Sequence, residues 1–170
     1  MARNIEIKAR ISNMEEMLVR VADLADHGPI EILQDDTFFP CPNGRLKLRV
    51  LSANEGQLIF YERPNTSGPK ESFYIIHSTT SPDSLREVLS LAYDQDGHVK
   101  KHRTLFIKGR TRIHLDRVEG LGDFLELEVV LDEGELSESA TAEAEELLKR
   151  LGISSKQLIE GAYADMHFHS

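Results

Sequence analysis

Five segments of this chain carry apolar residues at alternate positions and charged residues between them, and that pattern limits the folds open to it. In NIEIKARI, Ile5, Ile7, Ala9 and Ile11 fall on one side and Asn4, Glu6, Lys8 and Arg10 on the other. In RLKLRV, Leu46, Leu48 and Val50 oppose Arg45, Lys47 and Arg49. Period two is the signature of a strand. The constraint lies in the charged side. Three further segments supply Lys101 with Arg103, Arg112 with Asp116, and Glu126 with Glu128, each pair at i, i+2 or i, i+4 and so on one side of its strand. An ordinary wet sheet face mixes Thr, Ser, Lys and Glu in no order. Charge of one parity on five strands suits a sheet that curls shut with these faces inward. Charges buried that way are costly unless they pair or bind a ligand. A polyphosphate with a divalent metal matches them: Lys and Arg neutralise phosphate oxygens, and carboxylates hold Mg2+ or Mn2+ through hard oxygen ligands.

The rest of the chain predicts an antiparallel α+β domain. Ser12 or Asn13 caps a helix whose apolar stripe is Met14, Met17, Leu18, Val21 and Leu24, ending before Gly28-Pro29. A short strand around 30–34 precedes a second, weaker one ending in DDTFF. RLKLRV and QLIFYERP form a hairpin, SFYIIHS is a strand, and Ser81-Pro82-Asp83 opens a helix over LREVLSLAY. HVKKHRTLFI, RTRIHLDRV and DFLELEVVL are three more strands; an acidic helix, capped by Ser139 or Thr141 and stopped at Gly152, follows. The tail GAYADMHFH adds a last short strand. Strands in hairpin order, without a helix between each, disfavour a parallel sheet. No linker or repeat divides residues 1–170, so one domain is expected.

Net charge, at −9 from 29 acidic and 20 basic residues, would by itself argue against a phosphate-rich ligand. Its distribution removes that objection. Seven acids and no Lys or Arg lie within Asp132–Glu146, on a helix read as solvated, whereas Lys100–Arg117 holds seven basic residues. With 6% aromatic residues and no Trp, a base-stacking nucleic-acid platform is disfavoured. The lone Cys41 excludes an intramolecular disulfide and a multi-Cys zinc site, and it reads as a loop residue. MARNIEIKAR lacks the apolar core of a signal peptide, and no apolar run approaches about 20 residues, so a cytoplasmic protein without membrane or nucleic-acid partners is expected. His167 and His169 are spaced as a metal pair but sit at the chain end, where a solvent role is favoured. GLGDF lies between strands rather than opening a helix, so it is not a phosphate loop.

NIEIK, RLKLR, FYERP followed by Lys70, VKKHRTLF, IHLDRVEGLGDFLELE and the late GAY together resemble the CYTH family, the triphosphate tunnel enzymes that include class IV adenylyl cyclases and thiamine triphosphatases. The resemblance implies a closed, eight-stranded antiparallel barrel with a charged lumen and helices outside. By the family pattern, Lys8, Lys47, Arg49, Arg63, Lys101, Arg103 and Arg112 contact phosphates, with Lys70 and Tyr163 as weaker transfers. Mg2+ or Mn2+ falls to Glu6, Asp116, Glu126 and Glu128, and catalysis to Glu6, Lys8, Glu126 and Glu128. The expected function is metal-dependent hydrolysis of tripolyphosphate or an organic triphosphate. The alternatives are a class IV cyclase making cyclic AMP and pyrophosphate from ATP, and a non-catalytic polyphosphate- or nucleotide-binding module. Resemblance to the cyclases also implies a homodimer. One departure stands out: the family's opening Glu-x-Glu-x-Lys has Asn4 in its first place, an amide oxygen that brings no charge to a metal.

Overall fold

The structure, a computed structural model, describes residues 2–167 apart from the side chains of Ala164 and His167. Its strands are β1 (Ala2–Arg10), β2 (His27–Phe39), β3 (Arg45–Ser52), β4 (Glu55–Glu62), β5 (Lys70–Thr79), β6 (Gly97–Lys108), β7 (Thr111–Val118) and β8 (Gly122–Val130). They close into an antiparallel barrel in the order β1-β5-β4-β3-β2-β6-β7-β8. Closure is made by β1, which places Glu6 opposite Lys70 on one side and opposite Glu128 on the other. Helices α1 (Met14–Leu24), α2 (Pro82–Tyr93) and α3 (Ser137–Arg150) lie outside, and a 3-10 turn at Ser155–Gln157 leads to the short α4 (Tyr163–His167). No helix among the described residues is long and apolar enough to cross a membrane.

The alternation read from the sequence is realised with the polar side inward. Ile5 and Ile7 of β1, Phe106 of β6, Ile113 and Leu115 of β7, and Leu125, Leu127 and Val129 of β8 point outward. There they pack against Met14, Met17 and Val21 of α1 and Ala140, Ala144, Leu147 and Leu148 of α3. Each fully buried aliphatic side chain there contributes about 1.5–3 kcal/mol relative to exposure. The hydrophobic core therefore lies between the barrel wall and its helices. Asn13 caps α1 as expected, its Oδ1 accepting from the Glu16 N–H at 3.0 Å.

Three elements differ from the sequence reading. The two strands expected across Ile30 to Phe39 are one continuous strand, β2, with an irregular register between His27 and Ile30. Its two halves meet different surroundings: Ile30 and Leu33 are exposed, while Gln34, Asp36 and Phe38 face the lumen, so no single alternation runs through it. Helix α3 starts at Ser137, earlier than Ser139 or Thr141 would cap it, and has no side-chain cap. Its start is held instead by Glu135, which accepts from Arg110, the Ser139 hydroxyl and the Asp132 N–H. Some of the acidic stretch is thus spent on Arg110, which also pairs with Glu143, rather than on solvent. The tail is helical where a strand was expected. A closed barrel offers no free edge to a ninth strand. The chain makes one bridge, Leu158 to Ala9, where β1 runs beyond its pairing with β5, and then turns as the Asp165 carboxylate accepts from the Ala162 N–H at 3.1 Å.

That tail closes one mouth of the barrel. Tyr163 packs with Phe38, Val99, Val118 and Phe124, and Ile159, Tyr61 and Met166 surround them. Arg45 fixes the outer side through a two-pronged pair with Asp165. At the opposite mouth, where β1 begins and β5 ends, Ile76 is exposed.

Candidate active site in the barrel lumen

Strand parity aims every second side chain of the wall into a lumen of about 290 Å³. Its lining includes seven cations, Lys8, Lys47, Arg49, Arg63, Lys101, Arg103 and Arg112, against four carboxylates, Glu6, Asp36, Glu126 and Glu128. The sign is locally positive within a chain of net −9. The two signs are not evenly spread.

On the wall made by β2, β3 and β6, one carboxylate answers three cations. Asp36, 1% exposed, accepts from Arg49 Nε and a terminal guanidinium nitrogen at 2.9 Å each and from Lys101 Nζ at 3.2 Å. Lys47 Nζ lies 3.5 Å from the same carboxylate. Burial alone would raise the Asp36 pKa; Arg49, Lys101 and Lys47 outweigh it and hold the group well below the usual carboxylate range. Burial pushes Lys47 well down and Lys101 down to about 8, against the pull of Asp36. This wall has more positive charge than the protein itself neutralises.

Across the barrel, β1, β7 and β8 gather the acids. Glu126 lies 3.3 Å from Lys8 and 3.8 Å from Arg103, and Glu128 accepts from Arg112 at 2.7 Å. Glu6 accepts from Arg63 at 2.9 Å. Burial and the neighbouring Glu126 raise the Glu6 pKa, whereas for Glu126 the burial penalty is outweighed by Lys8, the nearby His114 and Arg103, which keep it well below the ordinary value. One acid is thus held ionised beside another that tends to keep its proton. Lys8, 4% exposed, also lies 3.6 Å from the Tyr163 ring centroid, a cation–π contact that anchors the ammonium.

Most of the sequence-selected residues meet here: Glu6, Lys8, Lys47, Arg49, Arg63, Lys101, Arg103, Arg112, Glu126 and Glu128 all line one cavity, and Tyr163 closes it. Two are placed otherwise. Asp116, assigned to metal by resemblance, is 0% exposed; it accepts from Arg103 at 2.8 and 2.9 Å and from the Tyr163 hydroxyl at 2.8 Å. Those bonds make it the fixed counter-ion of Arg103, with a pKa of about 2, apart from the other acids. Lys70 is buried on β5 beside the lumen but donates to the Thr66 carbonyl, holding the loop before its own strand. Of the histidine pair at the chain end, His169 and the His167 side chain lie outside the described residues.

Two site residues escaped the sequence reading. Asp36 was hidden in DDTFF, where only the parity of Gln34, Asp36 and Phe38 marks it as inward. His114 sits between Arg112 and Asp116 on the same face of β7, so that i, i+4 pair spans it.

The donors fit a divalent cation. One atom each from His114, Glu126 and Glu128 lie within 4.8 Å of one another. His114 Nδ1 and Asn4 Oδ1 are both buried, with no hydrogen-bond partner among the described residues. Buried polar atoms are nearly always hydrogen-bonded, so two orphans in a lumen with a carboxylate pair call for a ligand.

The CYTH domain model matches residues 2–163. Adenylate cyclase CyaB of Aeromonas hydrophila is 27% identical over 169 residues, covering 94% of this chain and 85% of the relative. A solved protein of Pyrococcus horikoshii superposes with a TM-score of 0.84 at 24% identity, covering 95% of this chain and 98% of that one. A Hippeastrum protein, named as an adenylyl cyclase and described as having a dominant triphosphatase activity, superposes with a TM-score of 0.66 at 16% identity, covering 99% and 95%. At those identities the two structures attest the barrel fold alone. The family model spans nearly the whole chain, and on that ground this protein belongs to the CYTH family.

Proposed function

We propose that this protein hydrolyses a triphosphate laid across the lumen from the Asp36 wall to the Glu126–Glu128 wall. The observation that carries the reading is the three cations, Lys47, Arg49 and Lys101, that share the single carboxylate of Asp36 opposite an acid-rich wall. A polyanion supplies the charge that wall lacks. Arg49 and Arg103 bring planar donors suited to phosphate oxygens, and Lys47 and Lys101 bring point charges. A divalent metal held by Glu126, Glu128 and their neighbours would neutralise phosphoryl oxygens and lower the pKa of a bound water.

No protein nucleophile is required. Water attacks the terminal phosphorus in line, the bridging P–O bond breaks toward the remaining diphosphate, and the products are orthophosphate and the shortened chain. Arg112, at the acid wall, and Lys8 spread the charge that builds on the leaving oxygen. Glu128 is within the same lumen to take the proton of the water, and Glu6 to orient it. Most of the rate enhancement on this reading is positioning and fixed charge.

Cyclisation of ATP is the second reading, favoured by the apolar lining of Ile32, Ile59, Ile76 and Tyr74 beside the Gln34 and Gln57 amides, groups of the kind that bind the faces and edges of a base. The CyaB relative adds to it. Tripolyphosphate, thiamine triphosphate and ATP, each with Mg2+ or Mn2+ and assayed for phosphate, pyrophosphate and cyclic AMP, separate the two. Phosphate release is the expected result; cyclic AMP with pyrophosphate from ATP would install the cyclase reading, and no product from any substrate overturns both.

Affinity should also fall with pH. A lysine of pKa about 8 loses its charge as the pH rises through that value, so triphosphate binding weakens from pH 7 to pH 9. One pH unit beyond the pKa costs at most about tenfold for a single group. Because the bound anion favours the ammonium, binding at pH 8 takes up protons, which calorimetry in two buffers of different ionisation enthalpy reads directly. Lys101→Arg should flatten the profile; an unchanged slope would show that Lys101 does not face the phosphates.

A further inference from the structure

The acid wall contains a nitrogen donor, and its placement bears on which ion the protein takes. His114 is 5% exposed, and its Nδ1 lies 3.6 Å from Glu126 Oε1 and 3.7 Å from Glu128 Oε1. Those separations are too long for hydrogen bonds, in which N···O is about 2.7–3.2 Å. They match instead the spacing of two ligands on one ion: donors each about 2.1 Å from a metal stand about 3.0–3.6 Å apart at bond angles of 90–120°. The nitrogen is otherwise orphaned, and so is the Oδ1 of Asn4, 2% exposed and lining the same lumen. Asn4 lies two residues before Glu6, whose register partner is Glu128, so its side chain stands one pleat along the same wall.

We infer that His114 ligates the metal together with Glu126 and Glu128, and that this mixed set selects a transition-metal ion over Mg2+. A site with an imidazole ligand binds first-row ions with affinity that is lowest for Mn2+ and higher for Co2+ and Zn2+, whereas Mg2+ prefers an all-oxygen shell and dehydrates reluctantly. Asn4 in place of a carboxylate works in the same direction. It lowers the charge on which a hard ion depends and leaves the nitrogen as a larger share of the binding. The inference rests on the reading that a metal binds at this wall, and the experiment separates the two.

Metal-free full-length protein, titrated with Mn2+ and followed by the free-ion EPR signal in the presence and absence of tripolyphosphate, reports binding. Electron spin-echo modulation of the bound Mn2+ reports a coordinated nitrogen. The wild type should bind Mn2+ at least about tenfold more tightly than Mg2+ in competition, a difference worth about 1.4 kcal/mol, and should show 14N modulation. His114→Gln should lose the modulation and most of the preference for Mn2+ over Mg2+. His114→Asn is the second variant, and a thermal melt confirms that each is folded. Bound Mn2+ without nitrogen modulation in the wild type overturns the inference and leaves the metal-dependent reading standing. No Mn2+ binding with or without tripolyphosphate overturns both. Equal retention of Mn2+ preference in the two folded His114 variants also overturns the inference.

Discussion

Asp36→Asn should melt about 10 °C below the wild type, and tripolyphosphate should return much of that loss. The substitution keeps shape and removes the one charge that Arg49, Lys101 and Lys47 share. Leaving a buried ion without its partner costs about 3–5 kcal/mol, and for a chain of this size each kcal/mol moves the midpoint by about 2–4 °C. A polyanion that fills the gap restores the missing charge, so the ligand-induced rise in melting temperature should exceed that of the wild type. Linkage sets the wild-type scale at about 2.7 kcal/mol when ligand is at a hundred times its Kd. Equal rises in the two proteins would mean that the phosphates do not lie against this wall. A variant that melts like the wild type would mean that the lysines shed their protons instead of suffering as ions.

Glu126→Gln is expected to reduce metal-dependent turnover by about 10²–10³-fold, the scale of losing one fixed electrostatic contact in a transition state. The amide is the same size as the acid but carries no charge to hold a metal. It also withdraws the nearest counter-charge of Lys8, whose pKa is already lowered by burial, so that the lysine can lose its proton rather than remain an unpaired ion. Binding of metal-free tripolyphosphate should be unchanged or tighter, because one repelling carboxylate has gone. Measuring turnover and metal-free affinity on the same preparation distinguishes a catalytic loss from a collapse of the lumen. Wild-type turnover in the variant would remove Glu126 from the mechanism.

How much of this was legible depended on which side of a strand the informative residues share. In β1, β3 and the middle of β8 the apolar and charged sets alternate, and their inward faces could be read from parity alone; in β6 only the pair Lys101 and Arg103 marked the inward side. β2 defeats that approach. Its first half has apolar side chains in solvent at Ile30 and Leu33, and its second half turns Asp36 inward between Gln34 and Phe38. Asp116 was legible as an inward acid but not as a spoken-for one, since the two-pronged pair with Arg103 depends on the register of β6 against β7, which no local pattern encodes. His114 lies between Arg112 and Asp116, whose i, i+4 spacing alone accounts for the charge pattern of that face. The tail could not be placed from its composition: whether it adds a strand depends on whether the sheet has an edge left, and that is a property of the whole barrel.

Closure of one mouth by Tyr163 and its apolar neighbours governs traffic. Among the described residues, Tyr163 and its neighbours pack one mouth and the lumen lining is exposed at Ile76 toward the other, so with entry from that side whatever enters last must leave first. A chain of phosphates can present only one end to the interior, and its length beyond the lumen has to trail outside. On the hydrolytic reading proposed above, release of the inner fragment would wait on departure of the outer one, and the architecture would set the order of product release ahead of any chemistry.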